Sequence, residues 1–293
     1  MIYCTELTNR GVLKVAGPDR FVFLQGLLTN DVSRLTSDTS LYSLLLTPQG
    51  KHFFDLFLVA VGDEWWVEGD RYRLEELKKK LSLYKLRSNV SLDIDLDQHI
   101  FSLWGADVVA AFDLNDRIPG HTQHTPLWHV YRDPRHPALG ARMIVAADHV
   151  AGLSHCEGLT MVEADEYRYY RYGLGVPESD AELLVDKSIP LENGMDELNA
   201  IDWQKGCYMG QELTSRTRYR GLVRKRLFPV TVNATVNVET KIVAGENEVG
   251  TWRSLCRERG LALIRLEALD KELTCGSAKV TVVQPNWMVL PEA

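Results

Sequence analysis

SLLLTPQGKHFFDLFLVAVGDEWWVEGD, residues 43–70, decides how the N-terminal part of the chain folds. Apolar and aromatic residues fill short runs, and turn residues at 48–50 and 62–63 separate these runs. Runs of this kind between turn signals are typical of β-strands, so the stretch predicts two or three consecutive strands. The next stretch, residues 71–86, predicts an amphipathic helix whose buried face carries Leu74, Leu77 and Leu81.

Further strands and helices are predicted on both sides of this stretch, and the pattern changes near residue 227. Strands are expected at 10–17, 100–105, 127–133 and 141–146, and helices at 18–31 and 211–220. A further helix is expected from residue 164 until Gly173 and Pro177 end it. From residue 228 onward, short alternating strands between turn signals predict a small antiparallel β-barrel. The expected fold class is therefore α+β, with a body over 1–227 and the barrel over 228–293. The body divides into subdomains at roughly 1–88 and 89–227, which can be intertwined.

Composition narrows the class of protein. The chain has 293 residues and a net charge of −7, so a globally basic surface for nucleic acid is not expected. Its five cysteines are scattered and form no CxxC pair, which argues against a disulfide framework or a self-contained zinc site and favours a reducing compartment. The N-terminus shows no secretory signal, and the apolar run at 41–48 is too short to span a membrane. We expect a cytoplasmic bacterial protein or a processed protein of the mitochondrial matrix.

One cysteine lies in an unusual turn, WQKGCYMGQELTSRTRYRG (203–221), where Gly206 and Gly210 flank Cys207. Glycine permits unusual backbone angles and lets another molecule approach the main chain closely. Lys205, the arginines that follow and the start of a predicted helix are all features that stabilise a thiolate. These residues alone leave Cys207 open as a nucleophile, a metal ligand or a small structural side chain.

The segment KGCYMGQELTSR, residues 205–216, resembles the signature K-G-C-[FY]-x-G-Q-E-x-x-x-[RK] of the YgfZ-type folate-binding family. That family includes mitochondrial iron–sulfur assembly factors and is related to the T-protein, the aminomethyltransferase of the glycine cleavage system. Similar stretches run through the whole chain, from FLQGLLTNDV (23–32) to VGTWRSLCRERGLALIRL (249–266). The resemblance implies a T-protein-like folate-binding body of split α/β subdomains, with a C-terminal barrel, in a ring-like arrangement.

Two departures separate this chain from true aminomethyltransferases. Those enzymes carry an acidic pair where this chain has Phe54 and Asp55, so one carboxylate is missing. They also carry a glutamate that holds the pterin ring where this chain has Gly173, and glycine offers no acceptor for the pterin N–H groups. Aminomethyl transfer is therefore not expected.

The resemblance instead implies an iron–sulfur cluster assembly factor, not a stand-alone enzyme. Such a protein works with an A-type carrier to make or deliver [4Fe-4S] clusters, and the Cys207 thiolate would be a ligand of a transient cluster shared with that partner. Tetrahydrofolate is the expected cofactor. The alternative is a tetrahydrofolate-dependent one-carbon transferase, aminomethyltransferase-like or related to tRNA modification, that uses Cys207 as its nucleophile.

The same resemblance implies a set of cofactor-binding residues around Cys207. They are Asn30, Asp31, Asp55, Arg87, Arg171, Lys205, Tyr208, Gln211, Glu212 and Arg216. A basic run from Arg216 to Arg226 indicates an anion site for an acidic partner or a folate tail, whereas direct binding of nucleic acid is not expected. Four histidines between 121 and 136 are expected to be solvated, because their spacing fits no metal-ligand pattern, and residues 120–126 are expected to form a loop.

Overall fold

The computed structural model describes residues 1–153, 156, 158–221 and 223–290, with the backbone alone at residue 180. In chain order its strands are β1 (Ile2–Glu6), β2 (Arg10–Ala16), β3 (Leu41–Leu46), β4 (His52–Val61), β5 (Glu64–Asp70), β6 (Ser91–Asp95), β7 (Gln98–Trp104), β8 (Thr122–His124), β9 (Trp128–Arg132), β10 (Ala141–Ala146), β11 (Leu159–Met161), β12 (Lys225–Val232), β13 (Ile242–Ala244), β14 (Asn247–Cys256), β15 (Arg259–Arg265), β16 (Leu273–Cys275) and β17 (Ala278–Val282). Its α-helices are α1 (Arg20–Gln25), α2 (Leu74–Lys85), α3 (Val108–Ala111), α4 (Val150–Leu153), α5 (Ala164–Leu174), α6 (Ser179–Glu182) and α7 (Gln211–Tyr219). No helix of the described residues is long and apolar enough to cross a membrane.

Contacts within the chain define two compact units. The first comprises residues 1–46, 54–164 and 198–209, and the second comprises 47–53, 165–197 and 210–293. Because each unit is assembled from separate chain segments, distant parts of the sequence meet inside it. The predicted divisions at 88/89 and 227/228 stay predictions, and the second falls inside β12.

The first unit contains two sheets. One has five strands in the order β3-β4-β5-β2-β6, and the other has six in the order β11-β1-β7-β10-β9-β8. The pairing of β1 with β11 is parallel, whereas β7, β9 and β10 pair antiparallel. The prediction from residues 43–70 is confirmed as β3, β4 and β5, and α2 buries Leu74, Leu77 and Leu81 as expected.

Helix α1 is shorter than the sequence predicts. Residues 18–31 were expected to be helical, but α1 ends at Gln25. Beyond it, Leu28 forms a β-bridge with Leu45, and the Thr29 hydroxyl accepts a hydrogen bond of 2.8 Å from the backbone N–H of Leu44. These bonds to β3 replace the helical ones, so tertiary contacts end the helix despite its favourable spacing.

The histidine-rich stretch also differs from its prediction as a loop. Thr122–His124 forms β8 because it pairs antiparallel with β9, which brings His124 opposite His129. Their Nδ1 atoms lie 2.8 Å apart, and the His129 ring packs edge-on against Trp66. Burial lowers the pKa of His129 to about 4, with a smaller contribution from His124. His129 is therefore a packed strand residue and not a solvated one.

The second unit contains the predicted barrel. Strands β12-β15-β14-β13-β16-β17 form a closed sheet, because β17 pairs back onto β12. Large apolar side chains such as Phe228, Trp252 and Ile264 fill its interior. The α+β class and the C-terminal antiparallel barrel are confirmed.

Candidate functional site

The Cys207 thiol is exposed on an irregular segment of the first unit that precedes α7 in the chain. This segment, residues 199–209, is defined here as the cysteine loop. It runs along residues 25–30, which begin at the last residue of α1. Because its neighbours in the sequence are held by hydrogen bonds, the exposed thiol sits on a supported backbone and not on a free loop.

Lys205 is the main anchor of the cysteine loop. Its side chain is buried, and Nζ donates hydrogen bonds to the backbone oxygens of Gln25, Leu28 and Asn30 at 2.9, 2.6 and 2.7 Å. Burial lowers the pKa of Lys205 to about 8, and the carboxylates of Asp31 and Asp202 act in the opposite direction. The three protons of the ammonium match three carbonyl acceptors, so Lys205 fixes the loop two residues before Cys207.

Further hydrogen bonds hold the cysteine loop on both sides of the thiol. After it, the Met209 N–H donates to the Gly26 oxygen at 3.2 Å. Before it, Asn30 donates through Nδ2 to the Asn199 oxygen at 2.8 Å, and the Thr29 hydroxyl donates to the Ala200 oxygen at 2.6 Å. Residues 25–30 therefore hold the cysteine loop in place through hydrogen bonds along its length.

The two glycines that flank Cys207 differ in backbone conformation and in surroundings. Gly210 has a φ of +83°, a left-handed conformation that side chains disfavour. At Gly206, by contrast, an added Cβ would meet no atom within 4 Å. The exposed face at Gly206 and Cys207 is therefore open to an approaching molecule.

Several other predicted site residues are engaged inside the first unit. Asn30 is buried, and Asp31 accepts from the Ser33 N–H at 3.0 Å and from Gln25. Although partial burial acts against it, these hydrogen bonds lower the pKa of Asp31. The Tyr208 ring is buried, and Lys205 Nζ lies over it at 5.5 Å from the ring centroid. These residues support the cysteine loop.

Asp55 belongs to a buried ionic cluster that the sequence analysis did not identify. Arg10 Nη1 lies 3.1 Å from each Asp55 carboxylate oxygen, and Arg10 Nε lies 2.8 Å from Glu68. Glu68 also accepts from Arg142 Nε at 3.1 Å and from the Tyr131 hydroxyl at 2.5 Å. Glu68 lies on β5 and Arg142 on β10, so the cluster joins the two sheets.

Charged residues inside apolar strands were the available signal for this cluster. Asp55 lies on the apolar strand β4, where an acid needs a partner or a task. The same argument applies to Glu68 in EWWVEGD and to Arg142 in ARMIVA. Their mutual pairing depends on the packing of two sheets, which no local pattern shows.

The remaining predicted residues lie elsewhere. Arg87 is exposed just after α2 in the first unit. In the second unit, Arg171 is buried and pairs with Glu182 at 2.6 Å. Gln211, Glu212 and Arg216 are on α7, where Arg216 pairs with Glu212 at 2.6 Å in an exposed i,i+4 bridge. Within the basic run, Arg226 is buried and pairs with Glu197 at 2.5 Å.

Gly173 and Asp55 bear directly on folate chemistry. A guanidinium nitrogen of Arg259 lies 2.9 Å from where a Cβ of residue 173 would be, and this guanidinium also covers the Tyr169 ring. The space of a side chain at 173 is thus occupied by a cation. Asp55 is 2% exposed and engaged by Arg10 through both oxygens. Gly173 therefore offers no carboxylate, and the carboxylate of Asp55 is engaged by Arg10.

Comparison with solved structures defines the class of protein. The crystal structure of the glycine cleavage system aminomethyltransferase T from Bartonella henselae matches with a TM-score of 0.80, over 98% of this chain and 86% of that one. The two sequences are 13% identical, so the match shows the fold alone. This is a protein of the aminomethyltransferase T fold.

Comparison of sequences defines the family. The family described as CAF17, C-terminal beta-barrel domain, matches residues 224–290. A mitochondrial iron–sulfur cluster assembly factor IBA57 homolog of Pyricularia oryzae is 34% identical over 90% of this chain and 72% of its own length. The mitochondrial factor IBA57 of Mus musculus is 30% identical over 97% of this chain and 85% of its own. The chain belongs to the IBA57 family of iron–sulfur cluster assembly factors, which confirms the resemblance seen at 205–216.

Proposed function

We propose that this protein takes part in iron–sulfur cluster assembly and that the Cys207 thiolate binds the cluster as its cargo. The observation that carries the proposal is an exposed thiol on a loop anchored from both sides, in a chain of this family. Thiolate is the ligand that iron–sulfur clusters prefer, and a cluster commonly takes four of them. One thiol supplies one ligand, so the others come from a second protein.

The second protein in this proposal is an A-type iron–sulfur carrier, and the shared cluster leads to delivery of [4Fe-4S] centres. The match of relatives named as mitochondrial supports a mitochondrial site of action. The basic run from Arg216 to Arg226 stays a candidate for an acidic partner, although Arg216 and Arg226 already have carboxylate partners within the chain.

Tetrahydrofolate binding stays a prediction, and the proposed function assigns it no step. The alternative function, a folate-dependent transferase with Cys207 as nucleophile, needs a grip on the pterin. The cation in the side-chain space of Gly173 and the engagement of the Asp55 carboxylate by Arg10 speak against that grip. These contacts support the assembly function over the transferase.

An anaerobic mixture of this protein with a reduced A-type carrier, ferrous iron and sulfide tests the proposal. We expect both chains to co-elute with a visible charge-transfer absorbance, because thiolates of both bind one cluster. In parallel, methylated and formylated tetrahydrofolate are incubated with the protein. Turnover of either folate, without any co-eluting cluster, would contradict the proposal and favour the transferase.

A further inference from the structure

The first unit carries an open groove between α1 and the residues that directly follow α2, defined here as the α1–α2 groove. Its volume is about 810 Å³, and it is lined by Asp19, Val22, Leu86, Arg87 and Ser88. Val22 is 73% exposed, and Leu86 is 89% exposed. Apolar side chains this open to water, gathered at one concave place, mark a binding surface more often than scattered ones do.

Leu86 is held in a backbone conformation that leucine rarely adopts. Its φ is +46° and its ψ is −107° at the C-terminal end of α2. A positive φ at a residue with a branched side chain costs conformational free energy. Because the Leu86 side chain is exposed, little burial of apolar surface offsets that cost. Leu86 lies in a turn where the Ser88 N–H donates to the Lys85 oxygen at 2.8 Å, and a molecule that covers its exposed side chain would gain an apolar contact.

The chain segment that leads into the groove is basic, although the whole chain is acidic. Residues 78–87, KKKLSLYKLR, span the C-terminal part of α2 and the first two lining residues after it, and they carry five cations and no acid. Asp19 is the acid of the lining, and its carboxylate accepts a hydrogen bond of 2.7 Å from the Asn89 N–H. Because the whole chain has a net charge of −7, this local excess of cations selects for an acidic partner.

The groove is close to the cysteine loop. Val22 lies on α1, four residues before its C-cap Gly26, which is a rise of about 6 Å. Gly26 accepts the hydrogen bond from Met209, two residues after Cys207. The Cα atoms of Val22 and Cys207 are therefore within roughly 20 Å, the reach of the helix plus two extended residues. One protein interface of ordinary size is wide enough to reach both places.

We propose that the α1–α2 groove is the docking surface for the acidic protein that shares the cluster at Cys207. The partner presents an apolar side chain, bordered by carboxylates, that covers Leu86 and Val22 and pairs with Arg87. This inference rests on the proposed function, because it names where the partner of that function binds. Cys207 binds the cargo, and the groove supplies the affinity.

The test measures binding of the reduced, cluster-free A-type carrier by surface plasmon resonance at several salt concentrations. We expect Leu86→Asp to weaken binding about tenfold or more, as for a central apolar contact. Arg87→Glu should lower the association rate and flatten its salt dependence. Matched controls are Leu127→Asp and Arg117→Glu, which alter exposed residues of the same unit outside the groove and should leave binding unchanged.

Leu86→Gly separates docking from misfolding. Glycine tolerates the positive φ, so this variant should raise the Tm while it weakens binding of the carrier. A misfolded variant would instead show a lower Tm together with weaker binding of the carrier. Binding by Leu86→Asp and Arg87→Glu within about twofold of the wild type, a difference too small for a central contact, would overturn the docking surface and leave the proposed function intact.

Other occupants give distinct outcomes. If the wild type self-associates in sedimentation and Leu86→Asp does not, while carrier binding is the same for both, the groove is an interface between copies and the inference fails. It also fails if the variant loses tetrahydrofolate binding alone. Absence of any wild-type complex, with or without iron and sulfide, would overturn the proposed function together with this inference.

Discussion

Glu68→Gln is expected to destabilise the first unit by about 3–5 kcal/mol, the usual cost of removing one partner from a buried ion pair. Glu68 is fully buried and contacts Arg10, Arg142 and Tyr131. Glutamine keeps the size of the side chain but removes the negative charge that the guanidinium groups of Arg10 and Arg142 both contact. Urea denaturation, with hydrogen exchange of amides in β5 and β10 to localise the effect, measures the loss.

A double variant and an exposed control make the Glu68 prediction specific. Glu68→Leu combined with Arg142→Leu removes one charge of each sign, so it should cost less than the sum of the two single changes. Glu75→Gln removes an exposed acid of α2 and should change stability by less than about 0.5 kcal/mol. Additive effects of the two leucine substitutions would contradict the account of the cluster.

The pH dependence of stability provides an independent check on Glu68. Burial acts to raise the pKa of Glu68, but the charges of Arg142 and Arg10 and their hydrogen bonds overcome it and lower the pKa. A carboxyl with a lowered pKa contributes stability that is fully present above its unfolded pKa of about 4.3 and is lost as the pH falls through the folded value. Glu68→Gln should remove this part of the acid-induced loss of stability.

Lys205→Met is expected to loosen the cysteine loop and to lower the yield of cluster. Methionine has similar length but leaves the carbonyl oxygens of Gln25, Leu28 and Asn30 without their donor, which costs about 1–3 kcal/mol for a buried acceptor. Hydrogen exchange of the Met209 amide should accelerate about tenfold or more, the factor that corresponds to 1.4 kcal/mol of local stability.

Lys271→Met is the matched control for Lys205, because it removes an exposed lysine from a turn of the barrel. It should leave both amide exchange and cluster yield unchanged. If Lys205→Met keeps the Met209 amide protected and the cluster yield normal, Lys205 is not the anchor of the loop.

The sequence predicted regular elements well where one chain segment carries the whole signal. Strands β3, β4 and β5 and the buried leucines of α2 followed from spacing and turn residues. The end of α1 at Gln25 and the strand β8 could not be predicted in this way, because both depend on pairing with distant backbone. Local patterns show which secondary structure a segment prefers, and tertiary hydrogen bonds decide between competing structures.

The candidate site was predicted by position more than by mechanism. The signature at 205–216 located Cys207 and Lys205, but the acceptors of Lys205 lie 175 to 180 residues earlier in the chain. Lys205 was expected beside the thiolate and is directed to backbone carbonyls instead. Asp55 was expected in a pocket, and its partner Arg10 emerges only when β2, β4 and β5 form one sheet.

The central claim is that Cys207 is a ligand of a cluster shared with a second protein. Its most direct test is visible circular dichroism of the anaerobic mixture with the A-type carrier, iron and sulfide, compared for wild type, Cys207→Ser and Cys156→Ser. Cys156 is the matched control, because it is the other exposed cysteine among the described residues. We predict a chiral cluster signal that co-elutes with both chains for wild type and Cys156→Ser and disappears for Cys207→Ser. An undiminished signal in Cys207→Ser would contradict the account.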